Sequence, residues 1–288
     1  MKTDLLVVGK GPAGVSSALY AVRGGLNTAV IAKDGGALEK ASGIDNYYGA
    51  APGTTGPQLA AAGEEQLRTL SVPVLSEEVL DLSFESDHWQ LTTERGVHEA
   101  KAVILATGVQ RTAAPFPGTA EFEGRGVSYC AVCDGFFFRG KRVAVLGSGR
   151  YALHEADVLM NLTPHVTLLT NGEQPPRQLP EGLKAETRKI SRAVGEQRLT
   201  AVKFEDGEQL ETDGLFIALG TAGGAELARK AGVPIQNGRP VTDENGAAGL
   251  PGLFLAGDCR GGLLQVCRAV YEGALAGKQA IAFLKGQK

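Results

Sequence analysis

The feature that most constrains the fold is a construction that occurs twice along the chain. In each copy a short apolar run leads into a glycine-rich loop, a helix of small residues follows, and a second apolar run comes next. In the first copy the apolar runs are residues 5–8 and 28–32, and the glycine-rich loop is 9–14. In the second copy the apolar runs are 142–146 and 166–169, and the loop is 147–152. Each copy predicts a right-handed βαβ unit that opens a parallel sheet.

Three more apolar runs lead to a glycine, at Gly108, Gly220 and Gly257. Ligands of a doubly wound sheet bind at the carboxyl ends of such strands. Because three endings serve two glycine loops, we expect one domain to be assembled from both ends of the chain. The first and third endings would serve the N-terminal loop, and the middle one would serve the inserted domain.

We therefore predict an α/β fold with two Rossmann-like dinucleotide-binding domains. The expected division is a discontinuous domain of 1–111 and 240–288 and an inserted domain of 112–239, with crossings near 109–118 and 236–241. Within the inserted domain, Asp206-Gly207 predicts a hairpin between the runs 199–205 and 209–217.

The loop 9–14 has the G-x-G-x-x-G pattern between a strand and a helix, which is the context that dinucleotide binding requires. Gly9 permits the tight turn, Gly11 lets the backbone approach a pyrophosphate, and Gly14 lets the helix pack close to the strand. Free N–H groups at the helix start then face the phosphates. At the second loop Ala152 replaces the third glycine. The alternative for either loop is a tight turn without a ligand.

The identity of the first dinucleotide is inferred from the whole constellation. The acidic residue expected after the second strand is absent, because Lys33 stands in the sequence Ala-Lys-Asp there. Asp258, after a buried strand and beside the loop, can accept a hydrogen bond from a ribityl hydroxyl, which indicates FAD. The alternative is that Asp258 only caps the following segment.

A Cys-x-x-Cys pair, Cys130 and Cys133, is followed directly by Asp134. Two thiols at this spacing can close a small disulfide ring, and a neighbouring carboxylate can deliver a proton when the disulfide is reduced. The rival interpretation is a zinc site completed by Cys259 and Cys267, whose spacing lacks the usual tight knuckle. We therefore predict no metal site and expect Cys259 and Cys267 to be small buried residues. The run 136–138, three phenylalanines, is expected to be strand core.

The net charge of −3 gives no support for nucleic-acid or membrane-surface binding. No apolar run approaches the roughly 18 residues of a membrane span. Residues 1–4 do not resemble a signal peptide, so we expect a cytoplasmic protein, in which a Cys-x-x-Cys is a redox or metal site more often than a structural disulfide.

The segment 124–138, Gly-Arg-Gly-Val-Ser-Tyr-Cys-Ala-Val-Cys-Asp-Gly-Phe-Phe-Phe, resembles the active-site segment of the low-molecular-weight thioredoxin reductases. The resemblance extends to Gly-x-Gly-Pro-Ala-Gly at 9–14, Ala-Thr-Gly at 106–108 and Gly-Leu-Phe-Leu-Ala-Gly-Asp at 252–258. With the domain order, it covers essentially the whole chain.

The resemblance implies an FAD-dependent disulfide oxidoreductase that reduces a thioredoxin-like protein disulfide. It also implies a homodimer whose two domains rotate relative to each other. The catalytic residues would be Cys130, Cys133 and Asp134. The residues that match or surround the FAD contacts of the family are Gly9, Gly11, Pro12, Ala13, Gly14, Lys33, Asn46, Thr107, Gly108, Gly257, Asp258, Gln265 and Val266.

The sequence departs from the family where the family binds NADPH. The strand 166–169 is followed by Thr-Asn-Gly-Glu at 170–173 in place of the His-Arg-Arg that holds the 2′-phosphate. Without a guanidinium pair, and with Glu173 nearby, a 2′-phosphate has no good partner. Near the flavin, Leu264 replaces an arginine and Ala37 a glutamine. The resemblance with these departures implies that use of NADPH is doubtful.

The second loop can still hold a dinucleotide, for which the candidates are Gly147, Ser148, Gly149, Arg150, Tyr151, Ala152, Asn171 and Glu173. Three electron sources remain open: NADH, a second FAD stacked on the ring of Tyr151, or reduced ferredoxin without a second nucleotide. NADPH itself is a fourth and weaker candidate. An alternative function is a small-molecule dithiol oxidase that uses oxygen on the same scaffold. A third is a non-catalytic nucleotide-binding regulator, which would be expected to have lost a cysteine or the flavin contacts.

Overall fold

The computed structural model describes residues 1–108, 116–220 and 222–286. The chain divides into two compact units, Met1–Gln110 with Gly223–Lys288, and Arg111–Ala222. One unit therefore combines both ends of the chain. The first expected crossing, at 109–118, falls for the most part on residues 109–115, which lie outside the described residues.

Short strands occur in both units. In the described residues they are β1 (Lys2–Val8), β2 (Thr28–Ile31), β3 (Val74–Leu75), β4 (Val79–Glu85), β5 (His88–Thr93), β6 (Gly96–Leu105), β7 (Val127–Ser128), β8 (Val143–Leu146), β9 (Val166–Leu169), β10 (Lys184–Glu186), β11 (Ile190–Gly195), β12 (Leu199–Phe204), β13 (Gln209–Glu211), β14 (Gly214–Ile217), β15 (Ile235–Gln236), β16 (Arg239–Pro240) and β17 (Leu253–Leu255).

The α-helices differ greatly in length, from one turn to more than five. In chain order they are α1 (Pro12–Arg23), α2 (Gly56–Thr69), α3 (Ala131–Asp134), α4 (Arg150–Met160), α5 (Gly224–Lys230) and α6 (Val266–Gly286).

The unit formed by the chain ends is built on a seven-stranded sheet in the order β3-β2-β1-β6-β5-β4, with β17 also paired to β6. The strands β1, β2, β6 and β17 pair in parallel. Each residue of β2 and β17 is buried, as expected of parallel strands covered on both faces. Helices α1 and α6 lie against each other in the core of this unit. Gly273 permits that approach, because a Cβ there would stand 2.2 Å from the carbonyl oxygen of Ala13.

The other unit repeats the plan with the parallel order β10-β9-β8-β14-β7 and an antiparallel sheet β11-β12-β13. Both βαβ units predicted from the glycine loops are present, which confirms the α/β fold class. The Asp206-Gly207 hairpin is also confirmed, with Gly207 at φ +94° between β12 and β13. The run 209–217 is not one strand, because β13 pairs with β12 and β14 continues in the parallel sheet.

The sequence predicts that the chain returns to the first unit at 239–240. In the structure this return crossing lies at 222–223. Helix α5 packs with the first unit: the Lys230 ammonium is fully buried and donates to the carbonyl oxygen of Leu80 at 3.0 Å. A Cβ on Gly224 would lie 2.7 Å from Oγ1 of Thr107, so the start of α5 is in close contact with the end of β6. The segment expected to form the second crossing instead forms the β15–β16 hairpin.

Candidate functional site

The two cysteines of the Cys-x-x-Cys motif form a disulfide, with their Cα atoms 5.3 Å apart. Cys130 precedes α3 as its N-cap, and its sulfur accepts a hydrogen bond from the backbone N–H of Cys133 at 3.1 Å. Cys130 is completely buried, whereas Cys133 is exposed. The disulfide therefore presents one sulfur to its surroundings and keeps the other inside the unit.

Asp134 is tied to the backbone of Cys130 through a single hydroxyl. Ser128 Oγ donates to Oδ2 of Asp134 at 2.6 Å and accepts from the N–H of Cys130 at 3.1 Å. The structure thus brings together the three residues predicted to be catalytic. It adds Ser128, which sequence reasoning missed although it stands only two residues before the first cysteine.

A second carboxyl group reaches the same turn from α4. Glu155 is 1% exposed, and its Oε2 accepts a hydrogen bond from the backbone N–H of Ala131 at 2.7 Å. Sequence reasoning missed this residue, because a single glutamate on a helix normally lies on the solvated face.

The aromatic run after the disulfide is not strand core. It forms a 3₁₀ turn, Gly135–Phe138, in which Phe136 and Phe137 are 67% and 69% exposed. Only Phe138 packs inward, edge-on against Phe216. The expectation was wrong because three consecutive residues of a turn point in different directions, so they cannot all face one core.

The first glycine loop joins β1 to α1 in a conformation that glycine makes possible. Gly9 has φ +108°, and a Cβ there would stand 2.3 Å from the carbonyl oxygen of Ala106. A Cβ on Gly14 would stand 1.8 Å from the carbonyl oxygen of Gly9. Apart from its immediate neighbours in the sequence and in α1, no atom of the described residues lies within 4 Å of a Cβ placed on Gly11, so this stretch of backbone can be approached closely. Pro12 opens α1 and Ala13 is buried beneath the turn.

Three predicted contact segments meet at one edge of the first sheet. Val8 pairs with Leu105, and Leu105 pairs with Leu255, so the strands end level with one another. Gly9, Thr107 with Gly108, and Gly257 with Asp258 follow these ends. Oγ1 of Thr107 is buried without a hydrogen-bond partner among the described residues. A buried hydroxyl in that state indicates a partner supplied from outside the chain.

The turn that carries Asp258 is held from below by Glu272 of α6. The N–H of Gly257 donates to Glu272 Oε2 at 2.8 Å, and Oε1 pairs with Arg268 at 2.7 Å and Arg260 at 3.2 Å. Burial, the largest cause, raises the pKa of the Asp258 carboxyl above its ordinary value, while the Arg268 charge opposes this shift and Glu272 adds to it. A hydrogen-bond donor brought to Asp258 would favour its charged form.

The structure places the other predicted residues of this unit at two points: Asn46, Gln265 and Val266 near the start of α6, and Lys33 after β2. Asn46 Nδ2 donates to Oε1 of Gln265 at 2.8 Å, although 219 positions separate them, and Val266 begins α6. Lys33, after the end of β2, pairs with the buried carboxylate of Glu78 at 3.0 Å. Glu78 thus brings an acidic group close to the end of β2, a contact that sequence spacing could not reveal.

The second glycine loop leads from β8 into α4. A Cβ on Gly147 would stand 2.3 Å from the carbonyl oxygen of Ala218, and Gly149 is the N-cap of α4 without a side-chain cap. Ser148 Oγ donates to a carboxylate oxygen of Glu173, which follows β9. The structure therefore brings Glu173 to the loop. Ala152 is buried, and Arg150 is exposed.

Two candidates for the second nucleotide have other structural roles. The ring of Tyr151 is 1% exposed and its hydroxyl contacts the carbonyl oxygen of Tyr129 at 3.4 Å, so the expectation of a stacking ring on the loop surface was wrong. Asn171 adopts φ +50° and accepts a hydrogen bond from the N–H of Ile190 through Oδ1.

The two remaining cysteines are separate from the disulfide. Cys259 is buried, as expected, and burial raises the pKa of its thiol to about 12. Cys267 is exposed on α6, so the expectation of burial was wrong for it. Among the described residues, no set of three His, Cys, Asp or Glu side chains is arranged to hold a metal ion.

Comparison with known proteins places the chain among flavin-dependent oxidoreductases. Residues 3–273 match the pyridine nucleotide-disulphide oxidoreductase family. Over 300 residues the chain is 34% identical to thioredoxin reductase of Treponema pallidum, with 98% of this chain and 97% of the relative covered. It is 33% identical to an NADH dehydrogenase of Bacillus subtilis, again over 98% of this chain, but it spans only 58% of that relative's length.

Two solved structures share the architecture. The atypical thioredoxin reductase TRi of Desulfovibrio vulgaris Hildenborough matches with TM-score 0.92 and 37% identity, over 99% of this chain and 98% of that one. A ferredoxin-flavin thioredoxin reductase of Clostridium acetobutylicum matches with TM-score 0.75 and 28% identity, over 99% of both chains.

The chain belongs to the pyridine nucleotide-disulphide oxidoreductases and, within them, to the low-molecular-weight thioredoxin reductases. Its two units are the two dinucleotide-binding domains of that fold. It is accordingly an FAD-dependent disulfide oxidoreductase of the thioredoxin reductase type. The open approach at Gly11 and the unpartnered hydroxyl of Thr107 fit such a cofactor. In the part of the chain that the structure describes, no helix has both the length and the apolar character for a membrane crossing.

Proposed function

We propose that the chain passes electrons from FAD to the Cys130–Cys133 disulfide and from there to a disulfide of a thioredoxin-like protein. The observation that carries this proposal is the disulfide itself, with Asp134 fixed beside it through Ser128. The FAD-binding residues would be those of the loop 9–14, Lys33, Asn46, Thr107, Gly108, Gly257, Asp258, Gln265 and Val266.

The residues of the chain divide the work of reducing the disulfide. FAD, when bound, supplies the electron pair. Opening the S–S bond consumes two electrons and leaves two sulfurs that take up protons. Asp134 is held where its carboxyl can give a proton to the couple and take it back, and Ser128 fixes the direction of that carboxyl. The N–H of Cys133 stabilises negative charge on the sulfur of Cys130.

The surface around the disulfide supports a protein as the electron acceptor. Phe136, Phe137 and the 51% exposed Val132 form an apolar surface beside Cys133. Exposed aromatic side chains next to a reactive group are typical of a protein–protein contact. A small dithiol does not require such a surface, so the dithiol oxidase alternative is less well supported. The thioredoxin reductases among the relatives agree with this choice of partner.

We propose an electron source other than NADPH. The side chain at the tip of the β9 loop, Glu173, shares a hydrogen bond with Ser148 of the glycine loop. A carboxylate there would repel a 2′-phosphate, whereas it can accept hydrogen bonds from a ribose that carries free hydroxyls. NADH and a second FAD both have that ribose. Reduced ferredoxin is the third candidate, supported by the name of the clostridial neighbour.

The family resemblance supports a proposal about assembly, and the sequence supports one about location. We propose a homodimer and a cytoplasmic location, where a Cys-x-x-Cys with two further free cysteines is typical of a redox enzyme.

The electron source is tested by two measurements on the purified protein. Denaturation and chromatography would count the nucleotides released per chain, and anaerobic titration would follow flavin bleaching with NADPH, NADH or reduced ferredoxin. We expect either that NADH or reduced ferredoxin bleaches the flavin, or that the denatured protein releases two FAD per chain. Rapid bleaching at micromolar NADPH would contradict the proposal about the donor.

A further inference from the structure

The buried carboxyl group of Glu155 has no part in the mechanism above. It lies on α4, within the same unit as the disulfide, and its side chain is 1% exposed. Its Oε2 accepts a hydrogen bond from the backbone N–H of Ala131, the residue that directly follows Cys130, at 2.7 Å. Buried carboxyl groups are hydrogen-bonded in folded proteins, and here one oxygen is committed to the turn that carries the disulfide.

We propose that Glu155 is a positioning residue that fixes the first turn of α3 and keeps the Cys130–Cys133 couple strongly reducing. This inference rests on the proposed function, in which the couple must pass its electrons on to another disulfide.

The argument begins with the N–H groups around the sulfur of Cys130. The N–H of Cys133 donates to that sulfur at 3.1 Å, whereas the N–H of Ala131 donates to Glu155. Glu155 therefore occupies a donor that would otherwise be free to stabilise a thiolate at Cys130. Its own negative charge acts in the same direction, because two like charges close together in a buried region disfavour each other.

The consequence for the couple follows from the balance of its reduction. Two electrons break the S–S bond, and the two sulfurs take up two protons, or one proton if one of them stays a thiolate. Any group that disfavours the thiolate makes the reduced form less stable at neutral pH, so the couple gives up its electrons more readily. The titratable and charged side chains on these elements are Asp134 on α3, Tyr129 shortly before it, and Arg150, Tyr151, His154, Glu155 and Asp157 on α4.

The test compares Glu155→Gln with Asp157→Asn in the FAD-loaded protein. Glutamine keeps an acceptor oxygen for Ala131 but removes the charge. Asp157 is exposed on the same helix, so its variant removes the same charge away from the disulfide. Each protein is equilibrated with mixtures of reduced and oxidised dithiothreitol, and the thiols of Cys130 and Cys133 are counted by alkylation and mass spectrometry.

We expect Glu155→Gln to shift the equilibrium about tenfold toward the dithiol, which is about 30 mV for a two-electron couple. In the reduced protein, the rate of alkylation at the couple should rise at a lower pH than in the wild type. Asp157→Asn should match the wild type in both readouts.

Two results would overturn the inference. One is a folded Glu155→Gln protein with the equilibrium and alkylation profile of Asp157→Asn. The other is a Glu155→Gln protein that does not fold, together with a Glu155→Leu protein that folds and has the wild-type equilibrium, because Glu155 would then be purely structural. Neither result depends on thioredoxin or on the electron donor, so failure of the proposed function would be recognised separately, by absent turnover with unchanged dithiothreitol values.

Discussion

Main-chain N–H groups, more than side chains, define the surroundings of the redox pair. Cys130 receives the N–H of Cys133, Ser128 receives the N–H of Cys130, and Glu155 receives the N–H of Ala131. Each bond fixes the backbone of α3, a helix of only four residues that could not hold its own geometry. The backbone of the turn that carries the two sulfurs is therefore held by hydrogen bonds to Ser128, Cys130 and Glu155.

Asp134→Asn should slow reduction of the partner disulfide about 100-fold or more, because general acid–base groups contribute on the order of 10²–10⁴ in rate. Asparagine can still bond to Ser128, so the fold and FAD content should be unchanged. Steady-state turnover with a thioredoxin under anaerobic conditions measures the effect, and Asp157→Asn serves as the control for charge. Wild-type turnover in the Asp134→Asn variant would contradict the acid–base role of Asp134.

The two free cysteines should differ sharply in alkylation of the native protein. Burial raises the pKa of Cys259 to about 12, so its thiol stays neutral and unreactive as the pH rises from 7 to 10. Cys267 is exposed and should react with iodoacetamide throughout that range. Peptide mass spectrometry should detect label on Cys259 only after unfolding. Rapid labelling of native Cys259 at pH 8 would contradict its burial.

At the scale of elements, the two βαβ units could be predicted because their evidence is local. A glycine such as Gly9, with φ +108° against the carbonyl of Ala106, has to stand directly between its strand and its helix. The place of α5 could not be predicted, since the partner of Lys230 is a backbone oxygen 150 positions earlier. In the same way, neither the burial of Tyr151 nor the contact of Glu155 leaves a pattern in neighbouring residues.

Lys230→Met should loosen the contact between α5 and β4 while the second unit is unaffected. The substitution leaves the carbonyl of Leu80 without its donor and Asp81 without its cation, a loss of about 1–3 kcal/mol. Hydrogen exchange should become faster in β4 and α5 and stay unchanged in β8 and β14. Lys278→Met, at an exposed position on α6, is the control. Faster exchange in the second unit alone would place α5 there.

Glu173→Arg should improve the response to NADPH by about tenfold, because a repulsive charge is replaced by a donor for the 2′-phosphate. The half-saturating concentration in the anaerobic bleaching titration is the quantity to compare. Glu181→Arg makes the same charge change at an exposed position of the same connection and should have no effect. Equal effects of both variants would show that only net charge matters.

At the scale of the whole molecule, the proposed FAD site and the disulfide lie in separate units. The level strand ends, the glycine loop and Asp258 belong to the unit made from the chain ends, whereas the disulfide and Glu173 belong to the inserted unit. Each unit has its own core, and the proposed electron transfer from FAD to Cys130–Cys133 runs from one unit to the other. The family resemblance covers both bodies, so the sequence could indicate this division although it misplaced the second crossing.

The most direct test of this account is an anaerobic reductive titration of the FAD-loaded protein with simultaneous counting of thiols. We predict that full reduction consumes two electrons for each FAD and two more per chain for the disulfide, with two new thiols exposed, and that Cys130→Ser consumes only the electrons of its flavin and exposes no new thiol. A wild-type protein that takes up no electrons beyond those of its flavin, with Cys130 and Cys133 still joined at the end of the titration, would contradict the central claim.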